Sequence, residues 1–183
     1  MNWTQEIDKI TSEAEMHFSK LGSEQLNWKP DTQTWSIAQN LEHLIVVNET
    51  YYPVLRALKN GTYKKPFLAN FGFIVSFFEK RILNAVKPDR KSKMKTFPIW
   101  EPSQNSVRND IVHQFKKHQT ELQTQINEAN ELLNNQIVIS SPASRIVVYR
   151  LEIAFDIIVT HEKRHLEQAK EIPRALKKME NNL

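Results

Sequence analysis

Apolar residues recur at intervals of three and four through most of this 183-residue chain, and this spacing limits the fold more than any other feature. It is the spacing of residues that share one face of an α-helix. The segments that show it run over about 7–21, 36–60, 71–86, 105–133 and 145–172. With no convincing sheet between them, these five segments predict an all-α helical bundle.

Local signals mark where these helices begin and end. Ser36 and Gln39 form a capping box at the start of the second helix, and Pro53 inside that helix predicts a kink. Gly22 is typical of the end of the first helix. Pro173 predicts the end of the last helix, because proline disfavours helical backbone at the residue before it.

The third helix and the connections carry weaker signals. Phe73 and Phe77 are among the apolar positions of the third helix. Residues 87–103 contain three prolines and predict a long loop. Residues 136–144 predict a turn, with a short extended piece at 137–139 before it.

Composition narrows the chemistry that the chain can carry. It has three glycines, too few for a loop-rich all-β fold, and no cysteine. The absence of cysteine excludes disulfides, a thiol nucleophile and thiolate metal ligands. A bound metal would therefore need histidine, carboxylate or water ligands. The length favours one domain over residues 1–183.

Charge and hydropathy bear on the partners. Lys and Arg total 25 against 21 Asp and Glu, a net charge of +4. The basic run from Lys87 to Lys95 suits a solvated loop better than a nucleic-acid patch. The longest apolar run, Phe71 to Phe78, is too short to span a membrane, and no signal peptide is recognisable. We expect a cytoplasmic protein with neither a membrane nor a nucleic-acid partner.

Histidines on apolar helix faces are the strongest candidates for a functional site. His161 and His165 are four residues apart, so they lie on one face of the last helix, at the centre of its apolar stripe. A buried polar group costs free energy unless it has a partner, and two such groups on consecutive turns favour a common ligand. His43, inside the wide apolar arc of the second helix, is the candidate third ligand. Three histidines would leave open positions on an ion, as catalytic sites do.

Two segments around these histidines resemble the DinB/YfiT-like metalloenzyme family. Residues 35–44, with the sequence WSIAQNLEHL, resemble the family's W-S-x-A-x-x-x-x-H-L segment. Residues 161–168, with the sequence HEKRHLEQ, resemble its closing H-x-x-R-H-x-x-Q segment. The proline-containing loops at 97–102 and 140–142 are also similar. The resemblance covers nearly the whole chain.

The resemblance implies a four-helix bundle, here with an additional short helix and long connecting loops. It implies that His43, His161 and His165 hold one divalent metal ion, nickel or zinc, and that the chain forms a homodimer, as in many members. Some members transfer a low-molecular-weight thiol such as bacillithiol to electrophiles, and others are proposed hydrolases. The expected partner is then a small-molecule substrate, with such a thiol as a candidate cosubstrate.

Several nearby residues have two interpretations each. Asn40 lies one turn before His43, and Gln168 lies one turn after His165. Each could contact a substrate or metal-bound water in the pocket, or be a polar residue at the edge of the bundle. Arg164 borders the metal face, where it could bind an anionic substrate group, but a surface ion pair is favoured. Trp100 could cover the mouth of a pocket, but we favour a role in which it anchors its loop on the bundle. Trp35, at the start of the second helix, is expected to pack on core residues as a hydrophobic staple.

The remaining histidines are weaker candidates. His118 lies on the apolar face of the fourth helix, so it could be a fourth ligand. We favour the alternative that it is a core histidine with hydrogen-bond partners. His17 receives the same interpretation, and His113 is expected to face solvent.

The sequence thus predicts a metal-dependent enzyme that activates a thiol or water. The ion would lower the pKa of the group that it binds, for S-transfer or hydrolysis. The alternative is a bundle that binds a metal or a small ligand without catalysis.

Overall fold

The computed structural model describes residues 1–89, 96–104, 107–108 and 110–180. Two short 3-10 turns lie at Phe67–Asn70 and Pro98–Trp100. The helices are α1 (Trp3–Phe18), α2 (Ser23–Asn27), α3 (Ile37–Glu49), α4 (Tyr52–Lys59), α5 (Gly72–Val86), α6 (Ile111–Glu128), α7 (Asn130–Leu133) and α8 (Leu151–Glu180), and the strands are β1 (Val138–Ser141) and β2 (Ser144–Arg150).

Four helices make the bundle. α1 packs on α6 and α8, and α3 packs on the same two helices, so that each of the four has two neighbours. Their apolar stripes meet in one core cluster, which includes Ile7, Leu41, Phe115 and Phe155. α5 lies outside, against α8 and β2. The chain is mostly helical, which confirms the predicted all-α bundle.

The second predicted helix is divided in two. Its start at the Ser36–Gln39 capping box is confirmed, since each side chain accepts from the backbone N–H of the other. α3 ends at Glu49, and α4 begins at Tyr52 with Pro53 in its first turn. Proline fits there because the first turn of a helix leaves its N–H groups without intrahelical partners. The kink predicted at Pro53 is therefore a break between two helices.

A hairpin replaces the predicted start of the last helix. β2 pairs with β1 in an antiparallel ladder, with Ile139 opposite Tyr149, so the prediction that the helix starts near Arg145 is wrong. The β-branched run Ile146–Val148 favours extended backbone and explains the difference. The extended piece predicted at 137–139 overlaps β1.

The limits of the other helices also differ from the prediction. Pro173 lies inside α8, which continues to Glu180, so the end predicted there is wrong. A long helix tolerates an internal proline at the loss of one backbone hydrogen bond. α6 begins at Ile111, whereas the predicted start at Asn105 lies outside the described residues. The connection predicted after residue 22 contains the short helix α2.

α5 presents two different faces. Val75 and Glu79 are buried, and Glu79 forms an ion pair with Arg150 at 2.7 Å. Phe73 and Phe77, which the sequence placed among the apolar positions, are exposed. None of the described helices is both long enough and apolar enough to cross a membrane.

Candidate metal centre

α3 and α8 bring together the three histidines that the sequence singled out. His161 and His165 lie one turn apart on α8, and His43 faces them from α3. One ring nitrogen from each lies within 4.8 Å of the other two. His43 and His165 are buried residues, and His161 is partly exposed.

The spacing of the ring nitrogens fits a metal ion. The Nε2 atoms of His43 and His161 are 3.4 Å apart. Two ligands at 2.0–2.1 Å from an ion in tetrahedral geometry are about 3.4 Å apart. The three-histidine group can therefore hold a metal ion through nitrogen ligands.

The backbone of a loop fixes the orientation of His43. Its Nδ1 lies 2.6 Å from the carbonyl oxygen of Trp100. Because a carbonyl only accepts, Nδ1 must carry the proton, and the neutral ring then has its lone pair on Nε2. This lone pair lies on the atom that is nearest to His161 Nε2.

Side chains of α3 hold that loop in place. Glu42 accepts from both the backbone N–H and the hydroxyl of Ser103, at 2.6 and 2.7 Å. Gln39 donates to the Ser103 carbonyl. The Trp100 indole donates to the hydroxyl of Thr50 at 3.3 Å, which confirms Trp100 as a loop anchor. The helix that carries His43 thus also positions the carbonyl that orients it.

Asn40 fixes the orientation of His165 in the same way. Its side-chain Nδ2 donates to the Ser36 carbonyl at 2.8 Å, so its Oδ1 faces His165. His165 Nδ1 is 2.8 Å from that oxygen and must be the donor. The lone pair of His165 is therefore also on Nε2, on the side of the cluster.

Burial keeps the three rings neutral. It lowers the pKa of His43 to about 4, although the hydrogen bond to Trp100 acts in the opposite direction. Burial, with added repulsion from His43 and Arg164, lowers the pKa of His161 to about 3. The pKa of His165 lies well below its usual value, mainly because of burial. Neutral imidazole is the form that ligates metals, so near pH 7 the cluster is ready to bind an ion.

An indole ring packs on two of the histidines. The Trp35 ring centroid lies 4.7 Å from that of His43 and 5.7 Å from that of His165, nearly parallel to the latter. Trp35 therefore packs on the candidate ligands themselves, rather than serving only as a staple on the apolar core. Such contacts limit how far the rings can rotate.

The other candidate pocket residues have different roles. Arg164 is buried, and it donates to the carbonyl oxygens of Ala85 and Lys87 at the end of α5. Arg164 therefore does not lie at the surface, where the sequence placed it. Gln168 is half-buried, one turn beyond His165. Of the basic run, Lys87 is exposed, and 90–95 lie outside the described residues.

The remaining histidines lie apart from the cluster. His118 is buried, close to the Nδ2 of Asn48 and the hydroxyl of Tyr52, which confirms a core histidine. Burial lowers its pKa to about 4. His113 is exposed, as predicted, but His17 is exposed too, so its assignment to the core is wrong.

Sequence reasoning missed a buried polar network beside the cluster. Glu162 accepts from Asn48 at 2.7 Å and from Gln119 at 3.0 Å, and burial raises its pKa to about 7. These contacts turn its carboxylate toward α3 and α6. A signal was available, because Asn48 and Gln119 interrupt otherwise apolar helix faces. The carbonyl that orients His43 had no sequence signal, since every residue has one.

The fold and the cluster define a helical bundle with a three-histidine centre, a combination that fits a metal-binding protein. A family model described as the DinB superfamily matches residues 6–169. The chain belongs to this superfamily. It is 30% identical over 156 residues to the uncharacterized protein YuaE of Bacillus subtilis (strain 168), covering 83% of this chain and 85% of YuaE. No solved structure matches the chain.

Proposed function

We propose that this protein is a divalent-metal-dependent enzyme in which His43, His161 and His165 hold one ion, nickel or zinc. The observation that carries the proposal is the convergence of the three ring nitrogens within 4.8 Å. Hydrogen bonds from two of the Nδ1 atoms support it, because they leave the lone pairs of His43 and His165 on Nε2, where they can act as ligands.

The number of ligands favours catalysis over a purely structural role. Structural zinc sites usually have four protein ligands, whereas catalytic sites have three and leave a position for water or substrate. An ion held by the three histidines would lower the pKa of a bound thiol or water molecule.

The composition of the chain decides where a thiol would come from. There is no cysteine, so a thiol nucleophile must belong to a cosubstrate. We propose transfer of a low-molecular-weight thiol to an electrophile as the reaction, with hydrolysis as the alternative. The resemblance of residues 35–44 and 161–168 to a family in which some members transfer a thiol supports the former.

Elemental analysis of untagged protein tests the site. We expect close to one equivalent of nickel or zinc in the wild type and little in His165→Ala. His118→Gln is the matched control, because it replaces a buried histidine that lies apart from the cluster. Metal retained in His165→Ala, or lost equally in His118→Gln, would contradict the assignment of the ligands.

Turnover separates catalysis from binding. The metal-loaded protein is assayed with a thiol and an electrophile, and separately with an ester, before and after chelation. Thiol transfer that stops on chelation and returns with the metal supports the transferase. Bound metal without turnover of either substrate would favour the non-catalytic metal-binding bundle.

A further inference from the structure

Four phenylalanines form a continuous exposed surface at the start of α5. We call Phe67, Phe71, Phe73 and Phe77 the Phe patch; their side chains are 74%, 38%, 75% and 58% exposed. The ring centroids of Phe67 and Phe71 are 5.5 Å apart, and those of Phe71 and Phe73 are 6.4 Å apart. Phe77 follows Phe73 by four residues, on the same face of the helix. An exposed apolar cluster of this kind is typical of an interaction site.

The exposed charges within the segment that carries the Phe patch all have the same sign. Residues 62–86 contain one acid, Glu79, which is buried and paired with Arg150. The same segment contains four cations, and all are exposed: Lys64, Lys65, Lys80 and Arg81. Two precede the patch and two follow it, so cations flank the aromatic rings on both sides. The flanked patch fits an apolar partner with a negatively charged surface.

We propose that the Phe patch and its four cations bind the surface of an anionic phospholipid bilayer. The rings would enter the boundary between headgroups and acyl chains, and the cations would meet the lipid phosphates. All four rings are exposed, two of them on α5, and a fluid bilayer accepts such groups without a shaped pocket. A second copy of the chain fits the Phe patch less well than a bilayer does. In such a dimer the four cations of one copy would lie close to the four cations of the other and repel them.

This contact differs from the membrane insertion that the sequence argued against. The expectation of no membrane partner was based on the length of apolar segments, and the described helices include none that could span a bilayer. Binding at the surface needs only the exposed face of 62–86. The proposal does not depend on the metal centre, and its test uses the full chain.

Sedimentation with vesicles tests the proposal. One set contains equal parts of phosphatidylglycerol and phosphatidylcholine, and the other contains phosphatidylcholine alone. We expect binding to the anionic vesicles only, and weaker binding at high salt. The double variant Phe73→Ser, Phe77→Ser should reduce the partition coefficient at least about tenfold, since it removes two inserting rings. Both side chains are exposed, so the variant is expected to fold, and circular dichroism checks this.

Two control variants make the same kinds of substitution, loss of an apolar side chain and reversal of charge, at positions away from the Phe patch. Met16→Ser removes an equally exposed apolar side chain on α1 and should bind like the wild type. Lys64→Glu, Lys65→Glu should weaken binding about fivefold or more per residue. The control Lys20→Glu, Lys117→Glu has the same net charge as that variant, but its substitutions are at exposed positions outside residues 62–86. It should therefore weaken binding less.

Three outcomes would overturn the proposal. The first is no binding to anionic vesicles at low salt. The second is equal loss of binding in the patch variants and their controls, which would assign the contact to another surface. The third is a wild-type dimer that the Phe73→Ser, Phe77→Ser variant converts to a monomer, with no vesicle binding by either protein. That result would show that a second copy covers the Phe patch.

Discussion

At the scale of single residues, the candidate centre depends on the acceptors that face two Nδ1 atoms. His43 donates to the carbonyl oxygen of Trp100 and His165 to the side-chain oxygen of Asn40. Each acceptor selects one tautomer, and in both rings the selected tautomer directs Nε2 at the cluster. Only Asn40 can be changed by substitution, because the other acceptor belongs to the backbone.

We expect Asn40→Leu to weaken metal affinity by about 10–100-fold while all three candidate ligands remain. The variant removes the acceptor that fixes the tautomer and orientation of the His165 ring. Asn40→Asp keeps an acceptor oxygen for His165 but loses the donor to the Ser36 carbonyl, so it should lose less affinity than Asn40→Leu. Competition titration with a chromophoric zinc chelator measures both. Equal losses in the two variants would mean that packing at this position, and not the acceptor, matters.

His118 makes the stability of the protein depend on pH. Its pKa is lowered by burial to about 4 from the ordinary value of 6.5. Between these values the unfolded chain binds the proton more tightly than the folded one. Protonation of His118 therefore costs no stability above about pH 6.5 and lowers it as the pH drops toward 4, whereas Glu162, whose pKa is raised to about 7, acts in the opposite direction. The buried histidines of the cluster act in the same direction as His118, because their pKa values are lowered as well.

Replacing His118 with Gln should remove this contribution alone. The free energy of unfolding of metal-free His118→Gln, relative to the wild type, should rise by about 1.4 kcal/mol between pH about 7.5 and about 5.5. Urea unfolding of both proteins at the two pH values gives this difference, and the other histidines contribute equally to both. A difference that does not change with pH would show that His118 titrates normally in the folded state.

At the scale of elements, the start of α3 positions both the site and the loop beside it. The Ser36–Gln39 capping box fixes the first turn of α3. Asn40 and His43 follow within the next two turns and face α8 from there. This element was predictable, because capping boxes and apolar steps are local patterns. The hairpin was missed, because Val147 and Leu151 also continue a helical spacing and only the strand pairing distinguishes the two.

Ser36→Ala should therefore destabilise the protein by about 1 kcal/mol, the usual cost of a lost N-cap. The Gln39 backbone N–H would lose its partner in a buried position. Thermal unfolding should show a Tm lower by about 2–4 °C. Ser12→Ala, at an exposed position within α1, is the matched control and should leave Tm nearly unchanged. A Tm of Ser36→Ala equal to that of Ser12→Ala would show that the cap contributes little.

At the scale of the whole molecule, the limits of sequence reasoning follow from distance along the chain. The candidate ligands are identifiable because each lies on an apolar helix face, where a polar residue needs a partner. The side of α5 that is buried was not identifiable. Phe73 and Phe77 suit a core as well as Val75 does, and only the packing of α5 on α8 and β2 decides between the faces. The Trp100 carbonyl is likewise 57 residues from the ring that it orients.

The same separation predicts how a metal should affect the whole fold. His43 and His161 are 118 residues apart, so an ion held by both would connect α3 to α8, a link that the unfolded chain lacks. At a free zinc concentration about 100 times Kd, binding should stabilise the fold by about 2.7 kcal/mol. At about 2–4 °C per kcal/mol, Tm should rise by roughly 5–10 °C and return to its starting value with a chelator. Magnesium, which prefers oxygen ligands, should give no shift. His165→Ala should respond weakly to zinc, and a shift as large as that of the wild type would place the ion elsewhere in the molecule.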